Sequence, residues 1–191
     1  MIDECEYDKL YVGSVFREEL FMYPQAYIDY LVYFHGERDY FECHEVLEEY
    51  WKKDQRGERN MYWVGLIQIA VSLYHQRRGN YKGAGRMMKN AIGIVTNNQE
   101  SVCQLGLDYE ELLTVLKERL KEIENHTPYQ SLNLPLLDDM LKDKCINLCS
   151  LKGHSWGKNS DLSNEYLVHK HVLRDRCGII AERQKRIEQK R

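Results

Sequence analysis

Proline is scarce, with three in 191 residues, and no long window keeps up a strict alternation of apolar and polar residues. The first scarcity removes the strongest interrupter of helices, and the second removes the signature of a half-buried strand. No apolar run approaches the length that crosses a bilayer, and the opening stretch MIDECEYDKL has neither the positive n-region nor the apolar h-region of a secretory signal. The chain therefore reads as cytoplasmic and soluble, with no membrane partner. Charge of one sign is not in excess either. A formal net charge of −3 gives no overall attraction to nucleic acid or to anionic lipid. The six cysteines, Cys5, Cys43, Cys103, Cys145, Cys149 and Cys177, fall at irregular intervals in a chain too large to need a disulfide framework, so reduced thiols are expected.

What the chain has in abundance is Leu, Glu, Lys, Arg and Tyr, a set that favours helices. The expected fold is all-α: a helical bundle with an up-and-down core and an extra C-terminal helix. Residues 1–127 are assigned to the core domain. Residues 128–191 are assigned to a C-terminal extension with a loop and a basic helix, packing on the core or projecting from it.

Pro24 suits the first turn of a helix that Ala26, Tyr27, Leu31 and Phe34 carry to a break at Gly36. Asp39 and Glu42 have capping-box spacing, which predicts a helix from about Asp39 to Lys53. On it Tyr40, Phe41, His44, Leu47, Glu48 and Trp51 share one face, while Glu42, Glu45 and Glu49 share another. NMYWVGLIQIAVSLYHQRRGN then reads as a nearly all-round apolar helix ending at Gly79, the centre of the bundle. Trp63, Leu66, Ile67, Ala70 and Tyr74 lie on one side of it, and a small polar seam of Gly65, Gln68, Ser72 and His75 lies on the other. A third helix spans about Tyr81 to Thr96. A fourth starts at LDYEELL, with Asp108 and Glu111 as its capping pair, and stops at Thr127 and Pro128. Residues 128–135 look like a linker, followed by a short helix through Leu136, Met140 and Leu141 to Cys149 and a turn-rich KGHSWGKNSDLSN. A last helix begins near Ser163 or Asn164, with Leu173, Cys177, Ile180 and Ile187 as a narrow seam.

Few patterns on this scaffold carry chemistry. HEVLE, His44 to Glu48, has only the first half of the HExxH zinc-peptidase motif, because Glu48 stands where a second imidazole is needed. Neither His44 nor His75 has the glutamate three residues earlier that carboxylate-bridged di-iron bundles use. What remains is a mixed cluster of His44, Glu48, Gln68, Tyr74 and His75. In one reading Glu48 accepts from an imidazole, Gln68 and Tyr74 complete the network, and two helices are locked in register. In the other, the same groups hold an unspecified metal with an open position or supply a general base. The architectural reading is preferred and no cofactor is expected.

Cys145 and Cys149, with His154, His169 and His171, do not match a familiar zinc knuckle and fit equally well as one face of a short helix. Cys43 and Cys177 read as core or seam residues. GNYKGAG, Gly79 to Gly85, lies between helices rather than after a strand and is no phosphate loop. Gly79 caps the central helix, and Gly83 and Ala84 allow close packing. The basic end, Lys170, Arg174, Arg176, Arg183, Lys185, Arg186, Lys190 and Arg191, reads as a solvated helix face rather than a nucleic-acid surface.

Tyr40 to Ala84 resembles the bacterial and archaeal family called domain of unknown function 309. The residues that carry the likeness are His44, Glu45, Leu47, Glu48 and Trp51 of an HExLExxW pattern; Gly65, Leu66, Ile67, Gln68 and Ala70 of GLIQxA; Tyr74 and His75; and Gly79, Asn80, Gly83 and Ala84 of GNxxGA. The resemblance implies a compact bundle with an up-and-down core and brings no activity with it. NEYLVHKHVLRDR looks like the extension of longer bacterial members. The expected function is a cytoplasmic, non-enzymatic binding or assembly module, with a protein partner or self-association through Leu173, Cys177 and Ile180. Its rival is a metal-dependent or acid–base enzyme that uses the His44 cluster.

Overall fold

The computed structural model describes residues 23–173. They fall into two compact units, the first running to Ser160 and the second starting at Asp161. Among the described residues regular structure is helical, apart from one isolated antiparallel bridge between Leu107 and Leu136. The chain forms the expected all-α bundle.

Helix α1, Gln25–Val32, starts at Pro24, whose carbonyl accepts from the N–H groups of Tyr27 and Ile28 at 2.9 and 3.2 Å. The chain does not break at Gly36. It continues through a wider π-helical turn, Tyr33–Glu37, and reverses at Arg38, whose φ of 58° is left-handed. Glycine is required inside that turn by close packing, since a Cβ at position 36 would collide with Cys149 Sγ. Helix α2, Tyr40–Lys53, opens with the Asp39 carboxylate accepting from Glu42 N–H at 3.1 Å, the N-cap that its spacing announces.

Helix α3, Met61–Arg77, is the central helix and buries Trp63, Leu66, Ile69, Ala70 and Leu73. The links 54–60 and 78–80 are short, so α2, α3 and α4 (Tyr81–Thr96) run alternately up and down. Gly65 lets α3 and α4 approach closely, because a Cβ there would sit 3.0 Å from Ile94 Cγ2. A short helix that the sequence reading did not place, α5 (Gln99–Gln104), is anchored by buried Val102. Six residues carry too little periodicity to be read. Helix α6, Tyr109–Glu124, is capped by Asp108, which accepts from Glu111 N–H at 3.0 Å. Its Leu112, Leu116 and Ile123 are buried.

Residues 128–160, grouped above with the extension, lie inside the first unit. Leu132, Leu134, Leu141, Cys145 and Cys149 are buried in the same core as Tyr27, Tyr30 and Leu47. The segment holds α7, Asp139–Leu151, which packs on α1. It begins at Asp139 rather than Leu136 because the Asp138 carboxylate caps it, accepting from Leu141 N–H at 2.9 Å.

The second unit contains α8, Glu165–Leu173, whose helical geometry is interrupted at His169 with φ −112° and ψ 18°. Cys5, the basic run from Arg174 onward, and the seam residues Cys177, Ile180 and Ile187 lie outside the described residues. No described helix is long and apolar enough to cross a membrane.

Candidate functional site

The buried strip of α2 is centred on Tyr40, Cys43 and Leu47. That centre is rotated toward Cys43 from the face drawn above, and the rotation moves His44 and Glu48 from the middle of the apolar stripe to its edge. Their side chains are 31% and 35% exposed, so the expectation of a pair within the packed stripe is corrected. His44 Nδ1 lies 3.0 Å from Glu45 Oε1, while its Nε2 is 3.9 Å from Glu48 Oε2, too far for a hydrogen bond. Glu48 is instead closed off by Lys52, whose Nζ is 2.9 Å from the same oxygen. Glu45, assigned above to another face, is thus the nearer partner of the imidazole.

Gly65, Ser72 and His75 of the polar seam of α3 find their mates on α4 and its N-cap, Asn80. Gly65 faces Ile94, Ser72 Oγ donates to the Ala84 carbonyl at 2.8 Å, and His75 Nδ1 accepts from the Asn80 amide at 3.1 Å. Gln68 Oε1 is buried without a hydrogen-bond partner among the described residues. Tyr74 lies among arginines, with the Arg77 and Arg78 guanidinium groups 5.8 and 5.2 Å from its ring centroid. The structure therefore brings together His44, Glu45 and Glu48 on α2, and separately His75 with Asn80. A small seam next to another small seam packs most closely, and the seam that meets Gly65 and Ser72 is the Ala84 side of α4, not the carboxylate edge of α2.

Between them, His44, Glu45 and Glu48 offer one nitrogen and two carboxylate oxygens within 4.8 Å of one another. That donor set suits a borderline divalent cation. It lies on a single helix, half open to water, and its Glu48 oxygen is already neutralised by a lysine. Ion pairs of this exposure contribute little to stability.

The cysteine candidates for zinc are core residues. Cys145 and Cys149 are fully buried; burial pushes the Cys145 thiol up to about 12 and raises Cys149 as well. His154 is taken by Lys158, Nζ to Nδ1 at 3.3 Å. Cys43 is also buried, with its thiol 3.6 Å from the Tyr30 carbonyl and its pKa raised well above the usual value by burial.

The polar centre that sequence reasoning missed lies where the π-turn meets residues 128–160. Arg38, 1% exposed, donates to four acceptors: the carbonyls of Phe34 at 2.9 Å, Leu132 at 2.6 Å and Lys158 at 2.7 Å, and Asn133 Oδ1 at 2.6 Å. Arg77 donates to the Arg38 carbonyl at 2.8 Å and to Ser160 Oγ at 2.9 Å while stacking over Tyr40. His35 is buried and stacks on Trp156 at 4.1 Å, nearly parallel at 9°. Its pKa is lowered to about 3, first by burial and then by the Arg38 charge. These groups fasten the C-terminal part of the first unit to α1 and α2. The two arginines are buried donors committed mostly to main-chain acceptors, an arrangement suited to architecture rather than to chemistry on a substrate.

Comparison with known proteins adds the family. The family described as "Domain of unknown function (DUF309)" matches residues 27–87. The chain is 51% identical over 170 residues to the uncharacterized protein YpuF of Bacillus subtilis (strain 168), covering 89% of this chain and 98% of that one. It is 30% identical over 89 residues to an uncharacterized protein of Aquifex aeolicus (strain VF5), covering 46% of this chain and 26% of that protein. No solved structure matches the chain at a significant level. With a relative of this identity spanned almost end to end, the chain belongs to the domain of unknown function 309 family.

Proposed function

We propose that this protein is a non-enzymatic binding or assembly module of the cytoplasm, and that it pairs with a second copy of itself through its C-terminal helix. The observation that carries this is the second unit, where Leu162, Tyr166, Val172 and Leu173 are all more than half exposed. Single exposed apolar residues are ordinary, but Leu173 begins a pattern. Beyond the break in helical geometry at His169, Leu173, Ile180 and Ile187 recur every seven residues in the sequence, the repeat of a coiled-coil seam. The alternate seam position is held by Lys170, Cys177 and Gln184, which keeps the stripe narrow and favours two strands over a larger bundle. Sedimentation of the full chain at micromolar concentration should show a dimer, and Leu173→Glu should convert it to monomer. A monomeric wild-type chain would remove the self-assembly reading.

The metal reading has one supporting observation, the three clustered donors on α2. Glu48→Ala separates the two readings. In an assembly module it should shift stability by less than about 1 kcal/mol, since it deletes only a half-exposed ion pair. That is below the roughly 1–3 kcal/mol that stranding a buried partner would cost. In a metalloprotein purified without an affinity tag, elemental analysis should find stoichiometric divalent metal that Glu48→Ala loses.

A further inference from the structure

The first turns of α4 and the end of α6 enclose an open cleft of about 460 Å³, within the size range of small-molecule sites. One wall is a cationic stripe, Lys82, Arg86 and Lys89, at spacings that place the three side chains on one face of α4. Lys89 is neutralised, with Nζ 2.8 Å from Glu124 Oε1. The side chains of Lys82 and Arg86 make no hydrogen bond or ion pair with another described residue. Among the described residues the cleft therefore carries two uncompensated positive charges, in a protein whose formal net charge is −3. At its other end the Tyr81 and His126 rings lie 4.7 Å apart between centroids, tilted by 44°, and Gly85 and Ile123 supply apolar surface beside them.

We propose that this cleft binds a phosphorylated small molecule, its phosphate between Lys82 and Arg86 and a flat aromatic body against Tyr81 and His126. A phosphate monoester near neutral pH carries close to two negative charges, which matches the two free cations. A guanidinium meets phosphate oxygens with paired donors, and an ammonium supplies a movable point charge beside it. A nucleic-acid strand is a poorer fit, because it needs a basic track running on past the cleft. The assignment is independent of self-assembly and of the α2 cluster, neither of which contributes a residue to it.

Calorimetric titration of the full chain with adenosine 5′-monophosphate tests it. At low salt the nucleotide should bind, inorganic phosphate should bind at least about tenfold more weakly, and adenosine should give no measurable heat. Arg86→Gln should weaken the nucleotide at least about tenfold and make its affinity less sensitive to salt. Gly85→Leu is the blocking variant. A Cβ at position 85 meets nothing closer than Ile123 Cγ2 at 3.7 Å, so the added side chain fills the cleft without moving the backbone, and the helix gains by losing a glycine. Its melting temperature should be at or above wild type while nucleotide binding is lost. Equal affinity for nucleotide and inorganic phosphate, binding that survives both substitutions, or no binding at millimolar nucleotide overturns the proposal.

Discussion

Arg38→Ala is expected to destabilise the first unit by about 3–5 kcal/mol, the largest effect of any single substitution considered, because it strands several buried acceptors at once. Three of the four acceptors of Arg38 are main-chain carbonyls, and two of those, Leu132 and Lys158, lie 94 and 120 residues away in sequence. Alanine leaves them facing a void that is too enclosed to hydrate each one freely. The backbone adds to the cost. Residue 38 sits at φ 58°, where alanine is less favourable than glycine by about 1 kcal/mol. Arg38→Gly should therefore be slightly less damaging than Arg38→Ala, although it deletes the same four hydrogen bonds. Arg38→Lys keeps the charge but cannot spread planar donors over four separated acceptors, and should fall between wild type and alanine. Urea unfolding of the full chain gives the ordering. Hydrogen exchange should show residues 128–160 losing protection first in Arg38→Ala, since their fastening to α1 and α2 is what was cut. A midpoint indistinguishable from wild type would mean that the guanidinium is dispensable and that apolar packing alone holds the segment.

The same residue marks the limit of what the sequence disclosed. The caps at Asp39 and Asp108 were readable because an N-cap is a contact between neighbours three residues apart. The stripes of α3 and α6 were readable because burial repeats with the helical period. His44 and Glu48 approach to 3.9 Å, as i and i+4 residues on one helix do. Whether they faced the core depended on a rotation of roughly 40°, the angle from Leu47 to Cys43 about the helix axis, which a helical wheel does not fix. Leu132 and Leu134 looked like linker because Pro128 and Pro135 bracket them, and two apolar residues in an extended strip have no period to recognise. His35 and Arg38 gave no local signal at all. Their roles come from Trp156, Leu132, Asn133 and Lys158, partners supplied by another part of the chain. Lys82, Arg86 and Lys89 show their common face in the sequence, but the cleft beside them exists only because α6 ends at Asn125 and returns His126 across Tyr81.

Acidification should destabilise the protein through His35. In the folded chain this imidazole is held neutral down to a pKa of about 3; burial is the main cause, followed by the adjacent Arg38 charge. Asn133 opposes and Lys142 adds a smaller push in the same direction as Arg38, yet neither ring nitrogen has a hydrogen bond of good geometry among the described residues. In the unfolded chain an ordinary histidine titrates near 6.5. Between those two values the unfolded state binds a proton that the folded state refuses, so the linkage slope is positive and stability falls as pH falls. The full contribution is present above about 6.5, is lost by roughly 1.4 kcal/mol per pH unit below it, and levels off near the folded pKa. At pH 5 the loss should reach about 2 kcal/mol. His35→Phe isolates this contribution. A phenyl ring can keep the stack on Trp156 and has nothing to titrate, and because no imidazole hydrogen bond is forfeited its stability at pH 8 should lie within about 1 kcal/mol of wild type. Carboxylates common to both proteins cancel in the comparison. Stability measured by urea unfolding at several pH values from 8 to 5 should give two curves that coincide near neutrality and separate steadily below it, with the phenylalanine variant above. Parallel curves would mean that water reaches the imidazole and that His35 is not sealed beneath Trp156.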